Sequence, residues 1–384
     1  MISSMQSVSH SAPDQRLHQI ALARKAVLHD GKSTSRTGTQ EWIERSWQRC
    51  LADGKRPDEK VSFDMVAPNA MRYLIDSHQT LLNTARPVLQ SLAHAIASTR
   101  YFAILTNAQG VVIDAHGAID RSDRRADLIT RTGTDLSEHA LATTAISAAL
   151  SELQPIWLHQ GEHFYDANAV YSCAGAPLFG PDGMCIGMLD LTGIETAERP
   201  ELKHLVAQSA RSIENALTVG QLKTKGDLLI RLNWPGRTLG DETDGLVCLN
   251  ADGYVTAANQ MARMMVPQLI AWTAEQHASD LFAMPHDMLF DAARQQSHKT
   301  AMEVPLWTGL RLHAMPLMGS KSGDSSSEQT SAPVAAPLPL KDIETALIRK
   351  AVDDARGNVQ KAAKTLGISR ATVYRRLGAT LKRC

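Results

Sequence analysis

The chain has 384 residues with 40 basic and 40 acidic side chains, so its formal net charge is zero. This length suggests two or three domains of roughly 100–200 residues each. An apolar fraction of 43% is enough for a sizeable buried core and excludes a disordered or fibrous chain. The 5 cysteines contain no CxxC pair, which excludes a disulfide framework and a zinc ribbon.

The sequence shows no signal for a membrane or for export. No apolar run approaches the roughly 20 residues that span a bilayer. Residues 1–19 are rich in Ser, His and Gln and contain no apolar segment of a signal peptide. We therefore expect a soluble cytoplasmic protein with no membrane partner and no cofactor.

The first half of the chain predicts an α+β domain, in which helices precede an antiparallel sheet. Helical spacing of apolar residues and short alternating runs between turn residues indicate these elements. Pro87 is expected to interrupt the second helix. The predicted elements are helices at Trp42–Ala52, Asn69–Ser98 and Glu138–Glu152, a hairpin of Phe102–Thr106 and Val111–Asp114, and strands at Pro155–His159, Ala169–Leu178 and Met184–Leu191.

A long helix is predicted from Glu201, and its apolar stripe has two interpretations. The stripe could be a coiled-coil seam that joins two subunits. It could equally be the face of a helix that packs on its own domain, since about two and a half heptads are too few to decide. Alternating spacings of four and three residues separate its members, which are Leu202, Val206, Ser209, Ile213 and Ala216.

A second, smaller sheet domain is predicted from about Asp244. Gly245–Asn250 and Tyr254–Asn259 flank the turn Ala251–Gly253 and predict another strand hairpin. A Met-rich helical stretch with Met261, Met264 and Met265 follows. Both predicted sheet domains open with an apolar hairpin around a Gly, which indicates a shared sensor-type architecture rather than a sequence repeat.

A linker separates this body from the C-terminal end. Gly319–Ser331 contains six Ser and two Gly, and Ala332–Pro339 contains three Pro. The first part cannot bury enough surface to fold, and the second favours an extended chain. We therefore expect a flexible linker over residues 319–339.

The C-terminal end is strongly basic. From Lys341 to Cys384, eleven Lys and Arg residues accompany four acidic residues, which gives a net charge of +7. Because the whole chain is neutral, the remainder is acidic to the same extent. A small basic segment on a larger acidic body is the distribution expected where one end of a protein binds a polyanion.

The residue pattern of this end predicts a helix-turn-helix. Gly357 suits the end of a first helix at Leu340–Ala355, and Asn358 can cap a second helix at Val359–Leu366. Ser369 can cap a third helix, Arg370–Leu377. We expect Ala362, Ala363, Leu366, Val373 and Leu377 to face the core, while DNA is contacted by Asn358, Ser369, Arg370, Thr372, Tyr374, Arg375 and Arg376.

The segment Gly357–Leu377 resembles the Fis-type helix-turn-helix of enhancer-binding bacterial activators. The body is similar to one branch of these proteins, the acetoin-catabolism-regulator-like activators, and to their GAF and PAS-like sensor domains. The residues that carry this second resemblance are Trp42–Cys50 with Gly54 and Pro57, Glu162–Phe164, Cys173–Pro177, Pro181–Gly183, Gly187–Gly193 and Gly245–Asn259.

The resemblance implies a regulator that binds a small effector in its GAF-like domain. The residues that we expect to contact the effector are Trp157, His163, Phe164, Tyr171 and Cys173. The run Ser137–Ser147 departs from the Gly-Thr-Asn-Gly-like sequence that is usual in the family, so the family's effector does not carry over.

The chain also departs from the family in lacking a nucleotide-binding signature. The family carries an AAA+ ATPase between sensor and DNA-binding domain, where this chain has the linker 319–339. No GxxxxGK[ST] phosphate loop occurs, since Gly31-Lys32-Ser33 has Ala26 at the position of the first Gly. We expect the protein to act without ATP hydrolysis.

The sequence leaves two other functions open. His159-Gln-Gly-Glu162-His163 has the letters of an inverted zincin motif, which favours a metal-dependent hydrolase if both histidines share a helical face. Pro155 and Gly161 argue against a helix there. The other alternative is a nucleoid-associated protein that shapes DNA with little sequence preference, against which the large sensor-like body argues.

The sequence thus predicts an α+β body of GAF/PAS-like domains, followed by an all-α Fis-type helix-turn-helix. The expected divisions are 1–66, an N-terminal helical segment; 67–220, a GAF-like sensor; 221–318, a PAS-like domain; 319–339, a linker; and 340–384, the DNA-binding domain. We expect a transcriptional regulator rather than an enzyme. Its expected partners are an inverted-repeat operator, a second copy of the chain, a small effector and RNA polymerase.

Overall fold

The computed structural model of the protein describes residues 12–31, 40–270, 275–295 and 301–319, together with residues 352, 359, 360, 363 and 373. Two compact units divide the chain, Met1–Lys321 and Ser322–Cys384. The first unit contains two five-stranded antiparallel sheets within its described part. No helix of the described residues is both long and apolar enough to cross a membrane.

The first unit begins with helices that pack against the first sheet. The apolar face of α2 is buried, with Trp47 and Ile43 fully covered, which confirms the helix predicted at Trp42–Ala52. A π-helix at Lys25–His29 follows α1 directly. The helices that precede the first sheet are α1 (Ala12–Arg24), α2 (Glu41–Ala52), α3 (Pro68–Ser77) and α4 (Gln79–Ala95).

The break between α3 and α4 falls at His78, and not at Pro87 as the sequence suggested. Pro87 lies inside α4. At the break, the Ser77 hydroxyl and the His78 ring both hydrogen-bond to the carbonyl oxygen of Leu74, at 3.0 and 2.8 Å. Because side chains take the acceptor that the next helical N–H group needs, the first helix ends here.

The first sheet has the strand order β2-β1-β5-β4-β3. The predicted hairpin of Phe102–Thr106 and Val111–Asp114 is confirmed, and so are the three strands predicted after it. Helices α4 and α8 (Leu202–Val219) cover one face of the sheet, and α7 covers the other. The strands are β1 (Tyr101–Asn107), β2 (Val112–Gly117), β3 (Ile156–His159), β4 (Tyr171–Phe179) and β5 (Cys185–Ile194).

The helix predicted at Glu138–Glu152 is two helices, α6 (Glu138–Leu141) and α7 (Ala145–Glu152), preceded by α5 (Arg124–Ile129). Ala142 between them has a φ of +55°, a left-handed conformation that ends a helix. Thr144 then caps α7, and its own N–H group donates a hydrogen bond to the Ser147 hydroxyl oxygen at 2.9 Å. This capping box starts a new helix where periodicity alone indicated continuity.

The structure decides between the two interpretations of the stripe on α8. Leu202, Val206 and Ile213 are buried in the same hydrophobic cluster as residues of β1, β4 and β5, and Ser209 is buried as well. The stripe therefore packs on its own unit. Ala216 alone among its members is exposed.

The second sheet has the order β8-β7-β6-β10-β9. Strand β6 is the central strand of this sheet, as β5 is of the first sheet. In chain order, however, β6 is the first of the five strands of its sheet, whereas β5 is the last of its own. The predicted hairpin of Gly245–Asn259 is confirmed as β7 and β8, followed by the Met-rich helix α9. The elements are β6 (Leu228–Asn233), β7 (Gly245–Leu249), β8 (Val255–Ala258), α9 (Gln260–Met265), α10 (Ala278–Leu281), α11 (His286–Gln295), β9 (Met302–Pro305) and β10 (Arg311–Met318).

The second unit is described at five residues. Ala363 and Val373 are buried at 3% and 0% exposure and form one cluster, against which Val352 and Val359 pack. The burial predicted for Ala363 and Val373 is confirmed. Residues 320–339, most of the predicted linker, lie outside the described residues.

Candidate functional site

A small cavity of about 40 Å³ lies on the face of the first sheet that α5, α6 and α7 cover. The wall is mostly apolar, with a few polar side chains from β4, β5 and the loops. The lining residues are Phe63, Ile104, Ile129, Leu136, Leu141, Thr144, Ala145, Ile146, His163, Asn168, Tyr171, Cys173, Asp190 and Thr192.

Alternation along β5 brings two polar side chains into this cavity. Leu189 and Leu191 are buried on the face toward α4 and α8, whereas Asp190 and Thr192 line the cavity on the opposite face. The Thr192 hydroxyl donates a hydrogen bond to Oδ2 of Asp190. Burial raises the pKa of Asp190 to about 7, because the charged carboxylate loses its hydration there.

His163 reaches the cavity from the short 3₁₀ turn Gln160–Glu162 that follows β3. Its Nδ1 lies 2.9 Å from the Gln160 carbonyl oxygen. A carbonyl only accepts hydrogen bonds, so Nδ1 carries the proton and Nε2 is an acceptor. Burial lowers the pKa of His163 to about 4, which keeps the ring neutral at physiological pH.

Burial shifts the pKa values of two further lining residues, Tyr171 and Cys173. Burial raises the pKa of the Tyr171 hydroxyl and holds the pKa of the Cys173 thiol well above its usual range. Both groups are therefore neutral at physiological pH, and the Cys173 thiol is unsuited to act as a thiolate nucleophile. Its Sγ lies 3.5 Å from the Thr192 hydroxyl oxygen.

The structure brings together three of the five residues expected to contact an effector. His163, Tyr171 and Cys173 line the cavity. Trp157 does not, because it pairs with Ala174 and belongs to the cluster on the opposite face of the sheet. Phe164 is fully buried in the core beside the cavity without lining it.

Sequence reasoning missed several polar residues of the cavity. Asp190 is the most informative, because an acid in an otherwise apolar strand is a visible signal of a buried polar site. Thr192 follows it at the spacing of one strand face. Asn168 and Thr144 come from irregular segments, where no periodicity indicates which way a side chain points.

The segment His159–His163, which matches the inverted zincin motif in sequence, is not a helix that presents both histidines on one face. Hydrogen bonds to other parts of the protein hold its side chains. His159 ends β3, and its Nδ1 lies 2.8 Å from the Ser172 hydroxyl. One carboxylate oxygen of Glu162 accepts from the His159 N–H group at 2.7 Å, and the other accepts from Arg16. Within the described part of the chain, no group of three or more His, Cys, Asp or Glu side chains could hold a metal ion.

The residues predicted to contact DNA lie outside the described residues. They are Asn358, Ser369, Arg370, Thr372, Tyr374, Arg375 and Arg376. The nearby burial of Ala363 and Val373 is the part of the predicted helix-turn-helix that the structure describes.

The α+β body precedes a short basic segment, and a clustered basic charge of this kind is typical of proteins that bind nucleic acid. The chain belongs to the family of the MimR N-terminal domain, whose model matches residues 21–215. Residues 339–379 match the model of the Fis family of bacterial regulatory proteins. The resemblance to acetoin-catabolism regulators that the sequence suggested is confirmed.

Several curated relatives are transcriptional regulators. The acetoin catabolism regulatory protein of Cupriavidus necator is 29% identical over 64% of this chain and 36% of its own length. The acetoin dehydrogenase operon transcriptional activator AcoR of Bacillus subtilis is 24% identical over 59% of this chain and 36% of its own length. The chain thus spans about a third of the length of these relatives.

The propane 2-monooxygenase operon transcriptional activator MimR of Mycolicibacterium smegmatis is 26% identical over 56% of this chain and 35% of its own length. Among solved structures, that of the E. coli DhaR(N)-DhaL complex aligns with 73% of this chain and 100% of its own chain. The sequence identity is 16% and the TM-score is 0.44.

Proposed function

We propose that this protein is a sequence-specific DNA-binding transcriptional regulator that responds to a small effector. The observation that carries the proposal is the match of residues 339–379 to the Fis family, which overlaps the segment Lys341–Cys384 of net charge +7. The regulatory names of the relatives support it. In this proposal the five divisions of the chain end near residues 66, 220, 318, 339 and 384, and the protein works in the cytoplasm.

DNA is read by the third helix of the C-terminal domain. Arg370, Arg375 and Arg376 contact bases and phosphates, while Thr372 and Tyr374 support them. Asn358 and Ser369 cap the helices and place backbone N–H groups near phosphates. One short helix reads only a few base pairs, so a homodimer on an inverted repeat supplies the remaining specificity.

The test selects bound sequences from a random DNA pool with the full-length protein and then measures affinities of variants. Arg375→Ala should weaken binding to the selected site by about 1–3 kcal/mol and relax specificity at one base pair. Gln360→Ala, at an exposed position of the same unit, should bind as the wild type does. Failure to enrich any sequence, with equal affinity for random DNA, would refute the proposal and favour a nucleoid-associated protein.

The effector site in this proposal is the cavity of the first sheet. His163, Tyr171 and Cys173 line it, and the two other residues expected there act less directly. Trp157 supports the sheet from the opposite face, and Phe164 fixes the backbone that carries His163, since its N–H group donates to the Thr143 carbonyl oxygen at 3.1 Å.

Regulation by promoter occupancy is the mechanism that fits this chain. The sequence lacks a phosphate-binding loop between its sensor-like body and its DNA-binding segment, and that loop is the cradle that nucleotide hydrolysis requires. The protein would block or recruit RNA polymerase by binding its site. Purified protein should show no DNA-stimulated ATP hydrolysis, and measurable stimulation would overturn this part of the proposal.

The hydrolase alternative has little support from the geometry. A zincin glutamate must be free to act as general base beside a metal-bound water. Glu162 instead accepts hydrogen bonds from Arg16 and from the His159 backbone on its two oxygens. Stoichiometric zinc in the purified protein, lost in His159→Ala, would revive this alternative.

A further inference from the structure

A second and larger pocket lies on the other face of the first sheet, surrounded by residues of α8, β4 and α9. Its volume is about 420 Å³, which is in the range of sites for small molecules. Met264 of α9 lines it and is largely exposed, so the pocket opens to solvent at this rim. Spacings of three and four residues place the lining residues of α8 on one face of the helix; they are Ala207, Ala210, Arg211 and Glu214.

The charged residues among those that line this pocket are Arg211 and Glu214, and both have hydrogen-bonding capacity to spare. Glu214 is 4% exposed. Within the described part of the chain its carboxyl group has one hydrogen bond, in which Oε1 accepts from the Phe179 N–H group at 2.9 Å, whereas a carboxylate can accept about four. The Nε atom of Arg211 is buried and has no hydrogen-bond partner among the described residues.

Arg211 and Glu214 are neighbours that do not pair directly. Side chains three residues apart on a helix have Cβ atoms about 5–6 Å apart. Burial raises the pKa of Glu214, and the backbone hydrogen bond and the positive charge of Arg211 oppose this rise. Because no ion pair joins the two side chains in the described part of the chain, a group of a ligand can occupy the space between them.

The two charges restrict what the ligand can be. A purely anionic ligand would lie beside Glu214, and a purely cationic one beside Arg211, in each case with a like charge in a half-buried site. An uncharged apolar ligand would leave both polar groups without partners. A ligand with an ammonium group next to a carboxylate group satisfies both, through charge-assisted hydrogen bonds.

The remaining wall indicates an apolar substituent on this ligand. Met261 and Met264 of α9, Phe179 of β4 and Leu153 surround the charged pair. Methionine side chains adapt their shape to varied apolar partners. The ligand therefore combines adjacent opposite charges with an apolar side chain.

We propose that this pocket binds a free α-amino acid with an apolar side chain, whose carboxylate accepts from the Arg211 guanidinium group and whose ammonium group donates to the Glu214 carboxylate. The inference goes beyond the proposed function and depends neither on DNA binding nor on the small cavity of the first sheet. An amino acid bound here contacts both α8 and α9, so it joins the two sheet domains.

The experiment measures binding to the full-length protein by isothermal titration calorimetry near neutral pH. L-leucine, L-methionine, L-phenylalanine and L-serine are titrated first, and one or more of the three apolar amino acids should bind more tightly than L-serine. The tightest ligand is then compared with its decarboxylated and deaminated counterparts, which for leucine are isoamylamine and isocaproate. Each counterpart lacks one charged group and should bind roughly tenfold to a hundredfold more weakly.

Variants assign each charged group of the ligand to its partner. Arg211→Met should abolish the preference for the amino acid over the amine. Glu214→Gln keeps an acceptor for the Phe179 N–H group and should abolish the preference over the deaminated acid. The matched controls are Arg199→Met and Glu201→Gln, which change an exposed ion pair outside the pocket and should leave every affinity unchanged.

Three outcomes would overturn the inference. They are no binding of any of the three apolar amino acids at millimolar concentration, binding of the amine or the deaminated acid as tight as that of the amino acid, and unchanged preferences in both pocket variants. The first two are measured on the wild-type protein, so they do not depend on how the variants fold.

Discussion

The guanidinium group of Arg24 donates a hydrogen bond to the backbone carbonyl oxygen of His163, the residue whose ring lines the cavity. Arg24 also donates to the carbonyl oxygens of Gly161 and Phe164, at 2.8 and 3.0 Å, and pairs with Asp166. One side chain at the end of α1 thus holds three carbonyl groups of the segment that carries His163.

Arg24→Ala should therefore destabilise the first unit and loosen this segment. The change leaves buried carbonyl groups without their donor, and we expect the free energy of unfolding to fall by about 2–3 kcal/mol. Hydrogen exchange of the amides in residues 160–166 should become faster. Arg45→Ala is the matched control, because the ion pairs that Arg45 forms in the described part of the chain, with Glu41 and Glu152, lie at the surface, and it should cost no more than about 0.5 kcal/mol. Unchanged exchange in Arg24→Ala would contradict the interpretation.

Glu214 should make the stability of the protein depend on pH. Its Oε1 accepts from the Phe179 N–H group at 2.9 Å, and burial raises its pKa to about 7 from an ordinary value of 4.5. The folded state then binds the proton more tightly than the unfolded state. This contribution to stability is complete below about pH 4.5 and is lost as the pH rises through about 7.

Between pH 5 and pH 7, this single group contributes a slope of at most about 1.4 kcal/mol per pH unit. Glu214→Gln keeps the acceptor oxygen and cannot titrate, so its stability should decline less over this range. Urea unfolding at several pH values measures the difference. Glu201→Gln, which changes an exposed carboxylate at the start of the same helix, should keep the wild-type slope. Equal slopes for wild type and Glu214→Gln would show that Glu214 does not titrate there.

The strands were predictable because alternation and turn residues act locally, but the helix breaks were not. The break at His78 depends on two side chains that compete for one carbonyl oxygen, and the break at Ala142 depends on a capping box that begins at Thr144. Such hydrogen bonds outweigh propensity without altering the apolar pattern. The stripe on α8 was ambiguous because the same spacing suits a neighbouring sheet and a neighbouring subunit.

Only part of the candidate site could be predicted from the sequence, for a similar reason. His163, Tyr171 and Cys173 belong to motifs that the sequence revealed, whereas Trp157 faces the other side of the sheet because it is one residue out of phase with Leu158, which packs beside the cavity. Asp190 was visible as the one acid in β5, but the sequence could not show that its buried Oδ1 has no hydrogen-bond partner in the described part of the chain. Which polar atoms lack partners is a property of the folded state.

Asn259 joins α8 to the second sheet and should be important for the stability of that junction. Its Oδ1 accepts from the N–H groups of Leu246 and Ala262, both at 2.8 Å. Its Nδ2 donates to Oδ1 of Asn215 on α8 at 2.7 Å and to the Asp244 carbonyl oxygen at 2.9 Å. The side chain is buried at 2% exposure, so each lost contact leaves a buried group unsatisfied.

Asn259→Ala should lower the free energy of unfolding by about 2–4 kcal/mol, since it removes a helix cap and several buried hydrogen bonds. Asn83→Ala is the same substitution at an exposed residue of α4 that accepts one hydrogen bond from Gln79, and it should cost no more than about 0.5 kcal/mol. Chemical denaturation of the two variants gives the comparison. A loss in Asn259→Ala as small as that in Asn83→Ala would show that the junction is maintained by other contacts.

The buried pair Ala363 and Val373 allows DNA binding to be removed without changing the first unit. Ala363 is 3% exposed within the cluster that contains Val373, so a larger side chain there forces the packed segments apart. Ala363→Leu should weaken binding to the selected DNA at least tenfold. All 6 tryptophans of the chain precede residue 322, so fluorescence-monitored unfolding reports on the first unit alone and should be unchanged. Gln360→Ala, at an exposed position, should preserve DNA affinity. Wild-type DNA binding by Ala363→Leu would mean that this cluster is not the core of the DNA-binding domain.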